Sequence, residues 1–240
     1  MTKTDHIQEL PRDIRINGQP LTSIQVLAVA RHNATVSLGS ESITRIQAAR
    51  TVIDMLTDRN EKVYGVTTGF GHLSRVRIPH EQLQDLQHNL LRSHAAGVGE
   101  PLSEEITRAM MLLLAASLAR GNSGVRTEVV QLLIDILNAR IYPIIPSRGS
   151  VGASGDLAPL AHLGLILIGE GEVLLDGEHL TGKEALQKVR LTPLHLQAKE
   201  GLALINGTHL MEAIAILALA DAQTLLRAAE VACAMSIEGL

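Results

Sequence analysis

The chain has 240 residues with 21 Lys and Arg against 25 Asp and Glu, a formal charge of -4, so it offers no basic field to hold a nucleic-acid backbone. At 46 % hydrophobic and 19 % charged it is too apolar for disorder, yet no charge-free apolar run approaches the ~20 residues of a membrane helix, and a soluble, globular chain without a membrane partner is expected. Cys233, the one cysteine, sits in an Ala-rich stretch and reads as a buried core thiol suited to a reducing cytoplasm, while Lys3, Asp5, His6 and Glu9 leave no apolar segment for a secretion signal.

With only Tyr64, Tyr142 and Phe70 as aromatics and no Trp, the core must be aliphatic, and the Ala- and Leu-rich periodic runs read as packed helices. Ile14 to Ile16 before Asn17-Gly18, with apolar residues resuming at Leu21, predicts a small N-terminal hairpin. Thr22 or Ser23 can cap a helix to about Arg31. Val36 to Leu38 is a short extended piece, and Ser40 or Ser42 can cap a helix to about Asp58 that turns Ile43, Ile46, Ile53 and Leu56 inward. Lys62 to Pro79, punctuated by glycine and threonine, reads as an exposed, structured loop.

His80 to Ser93 is helical, with Leu83, Leu86, Leu90 and Leu91 on one face. Ser103 can cap a helix to about Arg120, and Thr127 starts one that ends before Pro143, the two forming an antiparallel pair. Arg148 to Asp156 is a glycine-punctuated turn ahead of a helix from Leu157 to Ile168. Val173 to Leu180 is a hairpin turning at Asp176-Gly177, and Thr181 with Glu184 forms a capping box. From Pro193 or Ala198 to Leu240 the helical pattern runs on without proline, and Ala213 to Ala220 is apolar all round, as in the middle of a bundle. The organisation expected is residues 1–195 as one domain and 196–240 as the beginning of a central helical bundle. An apolar end at Ser236 to Leu240 is expected to continue in a longer chain or meet another subunit.

The densest chemical signal is Gly149 to Asp156. A phosphate-cradling loop needs a Lys-Ser/Thr after its last glycine, where Asp156 would repel phosphate, and a nucleophile elbow needs a glycine where Asp156 stands. A third reading uses the small residues: the Gly155 nitrogen can reach the Ala153 carbonyl carbon to close a five-membered ring. Loss of water from the ring and from Ser154 then leaves an exocyclic methylene electrophile. The plain alternative is a glycine-rich entry to a helix.

Four segments carry a resemblance: Tyr64 to Gly71 (YGVTTGFG), Ser93 to Gly99 (SHAAGVG), Gly149 to Pro159, and Gly201 to Thr208 (GLALINGT). In composition and order they resemble the aromatic amino-acid ammonia-lyase family, most closely its histidine-using branch, over nearly the whole chain. The resemblance implies a mainly α fold, the N-terminal portion of the ammonia-lyase helical bundle with small β-hairpins and the start of a long central helix. It implies elimination of ammonia from L-histidine to urocanate, with no external cofactor. The electrophile would be a methylidene-imidazolone (MIO) built from Ala153, Ser154 and Gly155, with Asp156 assisting closure.

By the same resemblance Tyr64 is the base that removes the proton beside the imidazole ring, its phenol needing a value below the usual ~10. Asn206 hydrogen-bonds the electrophile's carbonyl oxygen, and His94 meets the substrate side chain. Read without it, Tyr64 is a loop anchor, Asn206 a helix breaker and His94 a helix cap. Thr67 stands where many histidine-specific members have asparagine, and His209 where they commonly have glutamine, so tyrosine or phenylalanine lyases and aminomutases stay open, as does a non-catalytic half-protein. Family chains are roughly twice as long and assemble as homotetramers; a homotetramer, or completion by a C-terminal half, is implied. His80, His88, His94, His162, His195 and His209 show no ligand spacing, and no metal is expected.

Overall fold

A computed structural model describes residues 10–59, 61–71, 74, 76, 78–151 and 155–240. Strand β1 (Asp13–Ile16) is followed by helix α1 (Ser23–His32), strand β2 (Thr35–Leu38) and helix α2 (Ser40–Asp58). The expected N-terminal hairpin does not form: β1 pairs with β2 in parallel, Ile14 opposite Val36 and Ile16 opposite Leu38. The reason is local. Thr22 and Gln25 exchange the two bonds of a capping box, which launches α1 where a second hairpin strand would have run. A helix between two strands then brings the second back parallel. α2 begins at Gly39 with no side-chain cap, in place of the serine cap anticipated.

The far edge of β2 is closed by a side chain. Asn138 donates its amide to the Val36 carbonyl (2.8 Å) and accepts from the Val36 N–H (2.9 Å), standing in for a third strand. Asn138 ends helix α5 (Thr127–Asn138), which packs with helix α4 (Glu104–Leu118), capped by Ser103 as anticipated. Arg108 of α4 is 2 % exposed and donates to Val29 O of α1 (2.9 Å) and Leu137 O of α5 (3.3 Å). One guanidinium thus serves carbonyls in the last turns of two helices, where positive charge also meets the negative end of each helix dipole.

Helix α3 (Leu83–His94) follows a 3₁₀ turn at His80–Gln82 and leads into strand β3 (Val98–Pro101), which pairs antiparallel with β5 (Pro146–Arg148). Strand β4 (Tyr142–Pro143) joins the hairpin of β6 (Glu172–Leu175) and β7 (Glu178–Thr181) as a three-stranded sheet. Between them lies helix α6 (Leu157–Leu167), and after them helix α7 (Gly182–Lys188), launched by the Thr181–Glu184 capping box. One aliphatic core joins α1, α3, α4, α5 and α6, with no aromatic residue among its buried members.

The C-terminal run is not one helix. Helix α8 (Glu200–Ile205) stops at Asn206, whose backbone is extended, and helix α9 (His209–Glu238) starts after Thr208. By length and composition Glu200–Glu238 passes for a membrane span. However, Ala213 and Leu217 are buried in the shared core, and Asp221 pairs with Arg31 of α1 (2.6 Å), contacts of a helix laid on protein. Only those two residues of Ala213 to Ala220 are buried in this chain, against the expectation of burial all round. Cys233 is exposed rather than a core thiol, because α9 has left the other helices by that point. The Lys62–Pro79 loop is exposed only in part, since Gly65 to Gly69 are buried.

Asn138→Ala should lower the unfolding free energy by about 1–3 kcal/mol, because it leaves the N–H and carbonyl of Val36, a residue only 3 % exposed, without the partner that serves both. A urea titration with unchanged slope and lower midpoint reads it.

Candidate functional site

The four sequence segments singled out above meet along a chain of direct contacts. β3 pairs with β5, which ties the segment after His94 to the segment that opens at Gly149. Beyond the turn, Gly155 has φ +109, and a side chain there would collide with the Gly207 carbonyl. The Asp156 N–H donates to that same carbonyl (2.7 Å). Leu202 of α8 fills the space where a side chain on Gly65 would stand, so the Tyr64 loop rests on the helix that ends at Asn206. Ala153 and Ser154 lie outside the described residues.

Asp156 is fully buried. Its Oδ1 accepts from Ser150 Oγ (2.8 Å), and its Oδ2 accepts from the N–H groups of Leu210 (2.8 Å) and Met211 (3.0 Å) in the first turn of α9. Its own carbonyl accepts from Leu160 N in α6. A single residue therefore begins α6 through its backbone and caps α9 through its carboxylate, where the positive helix end stabilises the charge. Sequence spacing could not reveal this cap, because Asp156 and Leu210 are 54 residues apart.

α8 is held at its other end by Glu200, also fully buried. Arg126 meets it as a fork, Nε to Oε1 and Nη2 to Oε2 at 2.8 Å each, and the N–H groups of Arg126 and Gln197 add two more bonds. Glu200 in turn raises the Arg126 pKa through that bond. Arg50 stands 3.7 Å from the same carboxylate and donates to Ala198 O and Gln197 Oε1. Gln87 of α3, buried, accepts from Leu202 N through Oε1 (3.3 Å). This anchorage was missed in the sequence; a glutamate just ahead of an apolar run is its only trace.

Tyr64 is 56 % exposed, with its ring edge-on to Phe70 at 6.2 Å. The Thr67 hydroxyl accepts from Val63 N (2.9 Å) and donates to Glu61 O, so it latches the loop. The His94 Nδ1 lies 2.9 Å from Leu90 O and 3.1 Å from Ser93 Oγ, so this side of the ring is tied to the last turn of α3. Asn206 is exposed at the mouth of a cavity of about 370 Å³ that Arg120, Thr208, His209 and Glu212 also line. His209 is 8 % exposed, its Nδ1 without a hydrogen-bond partner among the described residues and its ring against Gly207. Burial lowers its pKa, and the Asp156 charge opposes that only in part. Two further histidines accept backbone N–H groups, His162 Nε2 from Gly97 (3.2 Å) and His88 Nε2 from Leu196 (3.1 Å). Burial lowers both, with Arg92 adding to the effect at His88. Among the described residues no three His, Cys, Asp or Glu side chains group as a metal site.

The profile of the family described as aromatic amino acid lyase matches residues 21–240. The chain is 53 % identical over 223 residues to histidine ammonia-lyase of Symbiobacterium thermophilum, covering 93 % of this chain and 44 % of that protein. It spans less than half the length of the curated relatives it matches. Among solved structures, histidine ammonia-lyase from Trypanosoma cruzi superposes with a TM-score of 0.84 at 39 % identity, covering 90 % of this chain and 42 % of that one. Tyrosine aminomutase from Streptomyces globisporus does so with 0.81 at 40 %, covering 85 % and 38 %.

Two outcomes follow from Asp156 and the histidines. Asp156→Ala leaves the α9 amides and Ser150 without their buried acceptor and should cost about 3 kcal/mol or more in a denaturant titration. Asp156→Asn, which keeps one oxygen for both amides and can donate to Ser150 Oγ, should cost less than half as much. His88, His162 and His209 have folded pKa values below the ordinary 6.5, so on acidification the unfolded chain takes up protons first. Their contribution to stability is complete above about pH 6.5 and is lost as pH falls through the depressed folded values. Urea midpoints between pH 7.5 and 5 should fall accordingly, and less steeply in His88→Gln and His162→Gln.

Proposed function

The chain belongs to the aromatic amino acid lyase family, and on that footing we propose that it carries the electrophile-forming part of a histidine ammonia-lyase, which eliminates ammonia from L-histidine to give urocanate. The observation that carries this reading is the contact of Gly155 and Asp156 with Gly207, next to Asn206: the electrophile segment and the asparagine segment share one backbone junction. A side chain has no room at Gly155, and Asp156 pins the downstream flank, as closure of a compact ring at Ala153, Ser154 and Gly155 requires. These residues suit MIO, which when formed supplies an electrophilic carbon that holds the substrate amine and makes it a leaving group.

In this reading the remaining groups bind, orient and move one proton. Tyr64, on an exposed turn, offers its phenolic oxygen as the base for the β-proton. His94 presents the Nε2 lone pair and accepts an N–H from the substrate imidazole. Asn206 donates to the ring's carbonyl oxygen, where charge gathers. Asp156, with both oxygens occupied by bonds to Ser150, Leu210 and Met211, assists ring formation by holding geometry. A second reading, a tyrosine-using enzyme, is supported by one observation, the 40 % identity to tyrosine aminomutase from Streptomyces globisporus.

The reading includes a cytoplasmic protein with residues 1–195 as the electrophile-bearing domain and 196–240 opening a central bundle, assembled as a homotetramer or completed by a C-terminal half. The apolar side chains exposed on α9, Leu219, Leu225, Leu226, Val231 and Met235, support such an assembly.

Intact-mass and peptide mass spectrometry should find the Ser154 peptide lighter by two waters, and Ser154→Ala should abolish the loss; an unmodified peptide in folded protein overturns the proposal. In the assembled enzyme L-histidine should yield the ultraviolet absorbance of urocanate, with Tyr64→Phe slower by roughly 10²–10⁴-fold. Preference for L-tyrosine in the same assay would select the second reading.

A further inference from the structure

α3 ends at His94, and its last residues close on their own carbonyls: Ala95 N–H donates to Leu91 O (3.0 Å) and Ala96 N–H to His94 O (2.8 Å). The next amide, that of Gly97, precedes β3 and points instead at the Nε2 of His162, 3.2 Å away. The fit around Gly97 is close. A Cβ there would stand 3.2 Å from His162 Nε2 and 3.2 Å from Pro146 Cβ, and a Cβ on Gly149 would stand 3.3 Å from the Gly97 Cα. His162 itself rides on α6, the helix that Asp156 begins.

We propose that His162 is a positioning residue that fixes the His94 segment to α6, through the hydrogen bond its Nε2 accepts from the Gly97 N–H. The proposal rests on the reading of His94 as the residue that meets the substrate side chain. Gly97 lies three residue steps beyond His94, a reach of about 10 Å at most, so anchoring the Gly97 amide removes most of the slack from the end of α3. α6 starts at the junction with Gly207, and His162 therefore references the substrate-facing histidine to the helix that leaves the electrophile segment. The chemistry requires a neutral imidazole with its proton on Nδ1, because only a ring nitrogen with a free lone pair accepts an amide. Half-burial of His162 favours that neutral form. A leucine of similar size would fill the space but leave the Gly97 N–H with no acceptor.

The test compares His162→Leu, His162→Gln and His162→Asn with the unaltered chain, by amide hydrogen exchange and by ¹⁵N spectra of the histidine rings. Gln places an acceptor oxygen near the position of Nε2, whereas Asn is too short to reach it. In His162→Leu and His162→Asn the Gly97 amide should exchange at least about tenfold faster and the His94 ring signals should shift, while α4 amides keep their protection. His162→Gln should restore both. Unchanged Gly97 exchange in the Leu and Asn variants overturns the proposal. So does a freed Gly97 amide with unmoved His94 signals, since His162 would then only close a loop. Should the Leu variant lose α4 protection, the comparison of Gln with Asn decides by the same criteria. Titration of the unaltered chain with L-histidine asks the separate question of whether His94 meets the imidazole. A silent His94 there strikes the functional reading, and the exchange data still report on the anchor itself.

Discussion

The buried carboxylate of Asp156 is the interaction on which the arrangement depends. From Glu200 to Glu238 the composition suits a single helix, and continuous helix would bury the Asn206 backbone in a ladder of its own hydrogen bonds. Asp156 rewards interruption, because a helix that restarts at His209 offers unsatisfied N–H groups that a charged acceptor binds strongly in the interior. The return bond, from the Asp156 N–H to Gly207 O, uses the carbonyl that the interruption releases. Both sides of the break are thereby satisfied, and its position is fixed to a residue. A neutral or displaced acceptor would weaken both α9 amide bonds together, since both end on one carboxylate oxygen.

The same principle recurs around the site. Loops that carry its candidate residues have few backbone partners of their own, and buried side chains supply what secondary structure does not. Glu200 binds the start of α8 to the start of α5, Gln87 holds the Leu202 amide, Thr67 latches the Tyr64 loop, and His88 and His162 accept amides from irregular segments. Replacing such acceptors by apolar groups would keep the volume and lose the register. Neutral histidine suits the task where a carboxylate would demand a cation in compensation, and the consequence is sensitivity to acid.

Most helices were legible because their signals are local: Thr22, Ser103 and Thr181 mark starts that the structure keeps, and Asp176-Gly177 marks a real hairpin. The misreadings have the opposite character. Asn17-Gly18 carries the local signature of a hairpin turn, but the partner of β1 lies beyond α1, and a parallel pair has no turn of its own to announce it. The break at Asn206 depends on a carboxylate 54 residues away from the amides it caps, and a 3.6-residue period cannot register that distance. Cys233 sits in a stretch whose composition says core, while its neighbours in space determine that it is exposed. The candidate site was legible as four segments, since each contains residue types whose chemistry is specific. Their mutual placement was not, because it rests on bonds between residues far apart in the chain, Asp156 to the α9 amides, Glu200 to Arg126 and Gln87 to the Leu202 amide.

The question of substrate narrows through the tautomer of His94. A carbonyl oxygen cannot donate, so a bond from Nδ1 to Leu90 O at 2.9 Å requires the proton on Nδ1, and within the proposed reading Nε2 is then the acceptor offered to the substrate side chain. An acceptor left without a donor in a closed site costs roughly 1–3 kcal/mol, whereas a donor placed there is bound. Imidazole N–H and phenol O–H both meet this condition and a phenyl ring does not. Within the proposed reading, histidine and tyrosine are therefore separated from phenylalanine by electrostatics at one nitrogen. Between the first two, size and reach must decide: an imidazole N–H lies closer to the β-carbon than a phenolic O–H, so the distance from His94 to the electrophile selects the ring. By holding the end of α3 against α6, His162 would help to set that distance.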